Sequence, residues 1–547
     1  MFSERPGDLN ERTRAAALAH LAEHEVDVLV IGGGVTGAGV ALDAATRGLS
    51  VALCEARDLA SGTSGFSSKL VHGGLRYLAH GDLPLAWESA VERAALMRWI
   101  APHLVRPRAF LVPRFPAAGR ATGRAAGRAT GRAAGRATGR SADTLTEIGV
   151  RLADTLRAAS GLSAHVLPRP RRVDARGARL LAPTLREDGL RGGLVYWDGA
   201  VDDDARLVID IARTAARHGA HIVTGCRVLH ATDREALLDP GSGGELRLRA
   251  RVVINAAGVW AGSFAPGLPL TPSRGTHLVF RSAVFGDPRA VLTAPVPGHF
   301  GRYVFVLPQP NGLCYLGLTD DPAPGADGYA PAVPDADVDF LLRTASAALN
   351  APLTRADVLS SFAGLRPLLG AGDDPAAASR RHLVRDEPGE PIAITGGKLT
   401  VYRRMAEDAV DAAARRLGVG AGQRAARAVT TRVPLLGAPG SGEFGDVPWP
   451  VPDPGGAVMA RLTARYGAER ARIAALATAD PALAEELTPG SGITRAEVVF
   501  AVRAEGARTP ADVLERRTRL ALDPALARAA LPAVTALVTR AGGAGFP

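Results

Sequence analysis

The chain has 547 residues, of which 47% are hydrophobic and 22% are charged. This composition is that of a folded globular protein with several domains, and it excludes a disordered chain or a small disulfide scaffold. The formal net charge is +10, but six arginines lie in one tract at residues 117–140, so the rest of the chain carries only +4.

The sequence also bears on location and metal chemistry. It has no run of about 18 uncharged apolar residues, and residues 1–10 lack the basic and apolar parts of a signal peptide. A cytoplasmic protein without transmembrane spans is expected. The three cysteines, Cys54, Cys226 and Cys314, lack metal-ligand spacing, so no metal site is predicted.

Residues 26–56 predict a β-α-β unit, with the strand VDVLVI, a glycine turn, a helix and the strand SVALCEA. Gly32, Gly34 and Gly37 form a GxGxxG motif between the first strand and the helix. These glycines allow a tight turn and close approach of a pyrophosphate, and the helix N-terminus favours negative charge. Glu55 ends the second strand, where it is placed to bond a ribose. The unit predicts dinucleotide binding.

The next segments are a loop, a helix and a repeat. Residues 61–77 are rich in Gly and Ser and predict a long functional loop, and residues 83–100 predict a helix. The tract at residues 117–140 repeats GRATGRAA, and its glycines disfavour a helix. We expect a mobile basic loop there; a helix induced by a membrane and an expansion without function remain alternatives.

The middle of the chain predicts a substrate domain built on a sheet. Its strand-like runs lie at residues 221–228, 251–255, 277–280, 303–307 and 314–318. Residues 391–405 then return to the pattern strand, Gly-Gly, helix. This second junction favours FAD over NAD, because it would aim a helix N-terminus at the pyrimidine side of a flavin and stabilise the negative charge of reduction.

The C-terminal part predicts a separate small helical domain after a Pro/Gly-rich linker at residues 435–456. Its periodic, alanine-rich helical runs are residues 458–478, 494–507, 510–520 and 524–541.

Several ordered motifs now identify a resemblance. The segments GGGVTGAG, TSGFSSKLVHGGLRYL, VYWDGAVDDDARL, FAGLRPLL and GGKLTVYR resemble the FAD-dependent, quinone-linked glycerol-3-phosphate dehydrogenase family over residues 26–404, and ITRAEVVFAVRAEGARTPADVLERRTRL resembles its C-terminal domain. The resemblance implies an α/β and α+β fold, with an FAD-binding Rossmann-like domain, a D-amino-acid-oxidase-like antiparallel-sheet substrate domain and a C-terminal helical domain. It also implies oxidation of sn-glycerol 3-phosphate to dihydroxyacetone phosphate, with electrons passed to membrane quinone.

The chain is divided accordingly. FAD-binding segments are expected at residues 24–110, 251–275 and 363–430, a basic insert at 111–145, mixed FAD and substrate segments at 146–250, the substrate sheet at 276–362, a linker at 431–456 and the helical domain at 457–547.

The resemblance assigns the substrate residues. They are Arg76, Tyr77, His277, Arg366 and Arg380, although the match to Arg380 could slip to the adjacent Arg381. His277, Arg366 and Lys398 are the expected catalytic residues. Arginine forks suit a phosphate dianion, and oxidation of a secondary alcohol needs a base. His277 is the expected base because a neutral imidazole suits pH 7, and an arginine-assisted or water-mediated proton transfer is the competing mechanism.

The cofactor residues follow from the same motifs. They are Gly32, Gly34, Gly37, Glu55, Thr63, Ser64, Ser68, Lys69, Leu70, His72, Val228, Gly258, Gly397, Lys398, Leu399 and Thr400. Lys69 and His72 would either contact FAD or order the loop. Asp203, Asp204 and Arg206, in the family-like DDAR, are interpreted as a helix cap with an internal salt bridge.

Two rival functions and the partners stay open. A glycerol-3-phosphate oxidase that reduces O2 would share the same motifs. A non-catalytic FAD scaffold or nucleic-acid-binding protein is disfavoured, because no aromatic residue lies between Gly119 and Arg140, and no specific nucleic acid is expected. The basic repeat stands where the family usually has an apolar, aromatic segment. It could instead attract anionic lipid on the inner face of the cell membrane. A homodimer is left open.

Overall fold

The computed structural model describes residues 4–79, 81–115, 139–241, 243–296, 303–370, 381–420, 422–423, 425, 427–442, 447–453 and 456–543. The predicted substrate residue Arg380 and residues 117–138 of the basic tract lie outside this description, and so does the side chain of Arg76.

Eighteen strands are found in the described residues. They are β1 (Val26–Ile31), β2 (Val51–Cys54), β3 (Leu70–Val71), β4 (Val105–Arg114), β5 (Arg171–Val173), β6 (Gly192–Val201), β7 (His221–Val223), β8 (Arg227–Ala231), β9 (Glu235–Asp239), β10 (Leu246–Asn255), β11 (Leu270–Arg281), β12 (Val291–Pro295), β13 (Tyr303–Pro308), β14 (Leu313–Gly317), β15 (Asp321–Pro322), β16 (Ser360–Leu369), β17 (His382–Arg385) and β18 (Ile392–Gly396).

Fourteen α-helices accompany them over the same described ranges. They are α1 (Glu11–Glu23), α2 (Val35–Thr46), α3 (Leu75–Ala79), α4 (Leu83–Ala95), α5 (Gly139–Ala159), α6 (Ala175–Leu181), α7 (Asp204–Arg217), α8 (Asp335–Ser346), α9 (Tyr402–Arg416), α10 (Ala457–Tyr466), α11 (Arg470–Ala479), α12 (Arg495–Ala504), α13 (Pro510–Asp512) and α14 (Pro524–Gly542). In the described part of the chain, no helix is both long enough and apolar enough to cross a membrane.

The first sheet is mostly parallel and has the strand order β17-β18-β10-β1-β2-β7. Its central strand β1 is almost entirely apolar and buried, as expected for a parallel strand covered on both faces. Helix α2 follows β1 and packs against α7 and α9. This topology places the N-terminus of α2 at the carboxyl edge of the sheet, where ligands bind in open α/β sheets.

The second sheet is antiparallel except where β12 pairs with β4. Its strand order is β15-β11-β14-β13-β12-β4-β6-β3, with β16 added to β11 and β5 to β6. Strands β11 and β16 pair over ten residues, which sets His277 opposite Phe362 and Arg366 opposite Ser273. The register therefore brings two predicted site residues onto neighbouring strands.

The C-terminal helices α10 to α14 enclose an apolar core of their own. They are joined to the N-terminus of the chain, because the Leu9 amide donates to the Ala504 carbonyl at 2.9 Å and the Gly506 amide donates to the Leu9 carbonyl at 2.8 Å. The three-part architecture expected from the sequence is present.

Some predicted elements need correction. The run at residues 221–228 is two strands, β7 and β8, rather than one. The run at residues 458–478 is two helices, α10 and α11, because Gly467 has a left-handed backbone (φ +56°) that ends α10. A Cβ at Gly467 would also overlap the Gly437 carbonyl oxygen, so the break is required by packing.

The segment boundaries shift as well. The segment 24–110 contains β3 and the start of β4, which belong to the substrate sheet, and the basic insert cannot begin at residue 111 because β4 runs to Arg114. The substrate sheet extends beyond 276–362, since β11 starts at Leu270 and β16 ends at Leu369. β4 contains Pro107 and Pro113, which hid its strand pattern.

Candidate active site

A cavity of about 1090 Å³ connects the N-terminus of α2 with strands β11 and β16 and with the turn after β18. Its walls include most of the residues predicted from the sequence. These are Gly32, Gly34, Glu55, Thr63, Ser64, Ser68, Leu70, His72, Tyr77, Val228, Gly258, His277, Arg366, Gly397, Lys398, Leu399 and Thr400. The folded chain thus brings both predicted sets of residues into one chamber.

One end of the cavity is a backbone cradle. Gly32 has a left-handed backbone (φ +106°), and a Cβ at Gly37 would overlap the Gly32 carbonyl oxygen. Gly37 does not line the cavity; it allows the turn and helix to pack closely. Glu55 accepts hydrogen bonds from the amides of Gly33 (2.6 Å) and Arg57 (2.8 Å), and burial raises the pKa of its carboxyl. Glu55 therefore holds the glycine turn beside the cavity.

The predicted loop crosses from this cradle to the second sheet. The Ser64 hydroxyl accepts a hydrogen bond from the Val35 amide at 2.9 Å, in the first turn of α2. Thr63 Oγ1 donates to the Leu365 carbonyl at 2.6 Å, and Ser68 Oγ lies 3.1 Å from His277 Nε2. The loop is thereby fixed at three points.

His277 lies on β11 and is 1% exposed. Its ring stacks on Phe362 with centroids 4.8 Å apart, and its Nδ1 has no hydrogen-bond partner among the described residues. Burial, followed by the charges of Lys69 and Arg366, holds the pKa of the imidazole well below its usual value. His277 is accordingly neutral at pH 7, which is the form that can accept a proton.

Arg366 reaches the cavity from β16. It pairs with Asp320 at 3.2 Å, and it donates to Ser273 Oγ at 3.4 Å and to the Thr319 carbonyl at 3.2 Å. Gly275 on the neighbouring strand leaves room for this guanidinium, because a Cβ there would overlap it. The side chain is 23% exposed and lines the chamber, so a fixed cation faces the cavity.

Lys398 follows β18 after two glycines with left-handed backbone, Gly396 and Gly397. Its Nζ donates to Ser89 Oγ at 3.0 Å and lies 3.9 Å from the centre of the Tyr77 ring. Thr400, in the next turn, is 1% exposed, and its Oγ1 has no partner among the described residues. This wall offers a cation and an unused hydroxyl to a ligand.

Other predicted residues have a different place. The Lys69 ammonium does not line the cavity and lies 3.3 Å from Asp204, which corresponds to the loop-ordering alternative. Asp203 caps α7 through the amides of Ala205 and Arg206, in agreement with the interpretation of DDAR as a cap with internal ion pairs. Arg381 is 59% exposed in its side chain and pairs with Asp82.

An aromatic pair that was not predicted from the sequence lies at the cradle end. Trp260 and Tyr329 line the cavity with ring centroids 4.3 Å apart, and the Arg57 guanidinium lies 3.6 Å from the centre of the Tyr329 ring. Trp260 follows the carboxyl end of β10, a parallel neighbour of β1, and the strand-end rule for α/β sheets could have found it. Tyr329 carries no such signal.

Comparison with known proteins gives two family matches. Residues 27–389 match the model described as "FAD dependent oxidoreductase", and residues 428–543 match "C-terminal domain of alpha-glycerophosphate oxidase". The chain is 47% identical over 523 residues to glycerol-3-phosphate dehydrogenase 1 of Mycobacterium tuberculosis, covering 94% of this chain and 95% of that protein.

Two solved structures have a similar fold. The glycerol-3-phosphate dehydrogenase of Bacillus halodurans complexed with FAD has a TM-score of 0.69 and 25% identity, covering 97% of this chain and 94% of its own. The L-alpha-glycerophosphate oxidase of Mycoplasma pneumoniae with FAD bound has a TM-score of 0.53 at 18% identity, with 71% of this chain and 95% of its own covered, and it shares the fold.

Proposed function

This chain belongs to the family of FAD-dependent glycerol-3-phosphate dehydrogenases, and we propose that it oxidises sn-glycerol 3-phosphate to dihydroxyacetone phosphate. The observation that carries the proposal is the shared chamber, in which the dinucleotide cradle opens onto Arg366, His277 and Lys398. A chamber of this kind suits the reaction, because substrate and cofactor must meet with their reacting atoms close together.

The residues of the chamber fit FAD. The glycine turn at the N-terminus of α2 has no side chain to fill the phosphate position, and Glu55 lies at the end of β2, where a ribose would be bound. At the far wall, the Thr400 hydroxyl, which has no hydrogen-bond partner within the described part of the chain, and the Lys398 ammonium suit the polar edge of a flavin. When bound, FAD supplies the acceptor for the hydride that leaves C2 of the substrate.

The substrate phosphate would be held by arginine. Arg366 already has its guanidinium fixed by Asp320 and Thr319, so little side-chain entropy is lost when it binds an anion. Tyr77 and Arg76 on α3 and the segment with Arg380 complete the proposed binding set. The Tyr77 ring lies against the Lys398 ammonium, so Tyr77 contacts the proposed flavin wall.

The proposed base is His277. Its neutral imidazole would take the proton of the C2 hydroxyl, and the Ser68 hydroxyl and the Phe362 ring fix the orientation of the imidazole. An arginine-assisted or water-mediated transfer predicts the same product but leaves His277 dispensable.

For the acceptor we propose membrane quinone, with the protein peripheral on the inner face of the membrane and its basic tract attracted to anionic lipid. This assignment is supported by the family and by the excess of arginine at residues 117–140. The alternative is an oxidase that passes electrons to O2. It is favoured by one specific observation, the C-terminal match to a domain of alpha-glycerophosphate oxidase.

The test is an anaerobic flavin titration. The purified yellow protein should bleach on addition of sn-glycerol 3-phosphate and recover rapidly with a quinone analogue but slowly with O2. Rapid recovery with O2 and formation of peroxide would establish the oxidase. A flavin that stays oxidised with this substrate would contradict the proposed function.

Liposome flotation tests the proposed location. Protein with and without residues 117–138 should differ in binding to vesicles that contain anionic phospholipid, and the difference should disappear at high salt. Equal flotation of the two proteins would contradict a role for the tract.

A further inference from the structure

The C-terminal helical domain contacts the cofactor loop, residues 61–77, and the segment just before it through three buried arginines. Arg516 and Arg517 both bind Asp58, which precedes the loop, with nitrogen to oxygen distances of 2.6 to 2.8 Å. Arg519 binds within the loop, at the Gly65 carbonyl, over 2.8 Å. These contacts join residues that are about 450 positions apart, so the domain is more than an appendage of the FAD-binding fold.

Arg519 connects three elements at once. Its Nε donates to Asp203 at 3.0 Å, and its Nη2 donates to Asp204 as well as to the Gly65 carbonyl. Asp203 and Asp204 stand at the N-terminus of α7, which packs against the nucleotide-binding helix α2. The guanidinium therefore fixes the loop against the frame of the first domain.

Asp204 connects Arg519 with the loop residues next to the reaction site. It is fully buried and accepts hydrogen bonds from the Ser67 amide (2.8 Å), the Ser67 hydroxyl (2.7 Å) and the Lys69 ammonium (3.3 Å). The residue between these two donors is Ser68, whose hydroxyl lies 3.1 Å from His277 Nε2. Asp204 thus holds the Ser67 backbone and the Lys69 side chain, on either side of the residue whose hydroxyl orients the proposed base.

The backbone of this junction is strained in the same region. Ala60, Lys69 and Arg519 have φ values of +60°, +59° and +63°, and they are three of the four non-glycine residues with a left-handed backbone in the described chain. Such conformations are disfavoured for residues that carry a Cβ and persist only where the surroundings impose them. The loop would therefore relax if the contacts with Asp204 and Arg519 were removed.

We propose that Arg519 and Asp204 are positioning residues for the reaction site, and that the C-terminal domain uses them to hold Ser68 against His277. Neither side chain needs to touch substrate. The kinetic part of this inference rests on the proposed function, whereas its structural part, the order of the loop, can be measured on the holoenzyme without substrate.

The structural test is hydrogen–deuterium exchange of the holoenzyme. Arg519→Met should raise the exchange rate of amides in residues 61–70 about tenfold or more, because the Gly65 carbonyl and Asp204, the acceptor of the Ser67 amide, both lose the donor that fixes them. Arg461→Met is the matched control: it breaks another ion pair of the same domain, in which both hydrogen bonds of Arg461 go to Glu497, at 2.8 and 2.5 Å, and neither goes to the loop. Unchanged exchange in Arg519→Met, or equal changes in both variants, would overturn the proposal.

The kinetic test compares flavin reduction at saturating sn-glycerol 3-phosphate and saturating FAD. Arg519→Met should be about 10- to 100-fold slower than wild type, as expected for misplaced catalytic groups, while Arg461→Met keeps the wild-type rate. Arg519→Lys should restore part of the rate, since lysine keeps the charge but cannot make all three contacts. Equal rates in the Met variants, or no rescue by lysine, would contradict positioning.

A milder variant covers the case in which Arg519→Met does not fold. Ser67→Ala removes one hydrogen bond to Asp204 and changes no charge. It should still raise exchange in residues 61–70 and slow flavin reduction severalfold, and wild-type behaviour in both measurements would overturn the proposal. If even wild-type flavin fails to bleach, the proposed function fails, and exchange alone then decides the positioning role.

Discussion

At one end of the cavity the cradle for the dinucleotide is formed by backbone within residues 32–64. At the other end the reaction site is formed by side chains from four distant segments, which carry Tyr77, His277, Arg366 and Lys398. The cradle depends on the absence of side chains at Gly32 and Gly37. The reaction end depends on the charge and orientation of His277, Arg366 and Lys398. The cradle should be sensitive to added volume and the reaction end to altered chemistry.

The largest effect is expected from volume added to the cradle. Gly37→Ala places a methyl group on the Gly32 carbonyl oxygen, so the turn must move and the purified protein should retain little or no FAD, which abolishes all flavin chemistry. The measurement is the flavin content of the purified protein and its affinity for added FAD. Gly262→Ala is the control, because a Cβ there has no neighbour within 4 Å. A Gly37→Ala protein with full flavin content would contradict the description of the cradle.

The next effect comes from charge removed at the reaction end. Arg366→Met should leave FAD bound but lower kcat/KM for sn-glycerol 3-phosphate about 1000-fold, since each hydrogen bond to a charged group contributes about 1.5–3 kcal/mol. Steady-state kinetics, with the enzyme concentration taken from the flavin content, would measure this change in kcat/KM.

Arg385→Met is the matched control for Arg366. Arg385 has a similarly exposed side chain, at 25% against 23%, and it also has carboxylate partners, Glu387 and Glu390. If both variants lose the same activity, the loss reflects the removal of a paired arginine in general and not phosphate binding by Arg366.

A smaller effect is expected at His277. His277→Gln keeps a polar side chain but no base, and the rate of flavin reduction should fall about 100-fold at pH 7. The acid limb of the pH profile that arises from this imidazole should disappear as well. Stopped-flow absorbance under anaerobic conditions measures both the rate of flavin reduction and its dependence on pH. An unchanged rate would show that an arginine-assisted or water-mediated transfer moves the proton.

The contrast between the two ends also explains what could be predicted from sequence. The cradle is local: Gly32, Gly37 and Glu55 lie in one β-α-β unit, so spacing alone indicated the fold and a dinucleotide ligand, whereas the choice of FAD over NAD needed the second Gly-Gly junction near residue 397. The reaction end is not local. His277 and Arg366 meet through the pairing of β11 with β16, and their assignment needed the family resemblance.

Two kinds of feature escaped prediction. The direction of the Lys69 side chain depends on Asp204, 135 positions away, so a motif that contains Lys69 could not show that its ammonium turns away from the cavity. The Tyr329 ring reaches Trp260 from a loop without periodicity, and only the folded chain brings the two together. Both depend on tertiary contacts that no short segment encodes.

Lys69 gives the most sensitive test of the difference between the two ends of the cavity, because its charge acts on the reaction end although its side chain does not line the cavity. Its charge is one of two, with Arg366, that lower the pKa of His277 in addition to burial. Lys69→Met removes that cation, so the pKa of His277 should rise. Since the neutral imidazole is the base, the acid limb of flavin reduction should move to higher pH, by less than the full difference that burial imposes on the pKa of His277.

The control must separate a local charge from the net charge of the protein. Arg281→Met removes a cation from the same strand as His277, four residues and about 13 Å along β11, where the side chain is 52% exposed. Solvent and salt screen that charge, so its removal should leave the limb in place. The substrate phosphate titrates near the same pH in every variant, and comparison with Arg281→Met cancels its contribution. A limb that stays fixed in Lys69→Met, or moves equally in both variants, would mean that burial alone sets the protonation of His277.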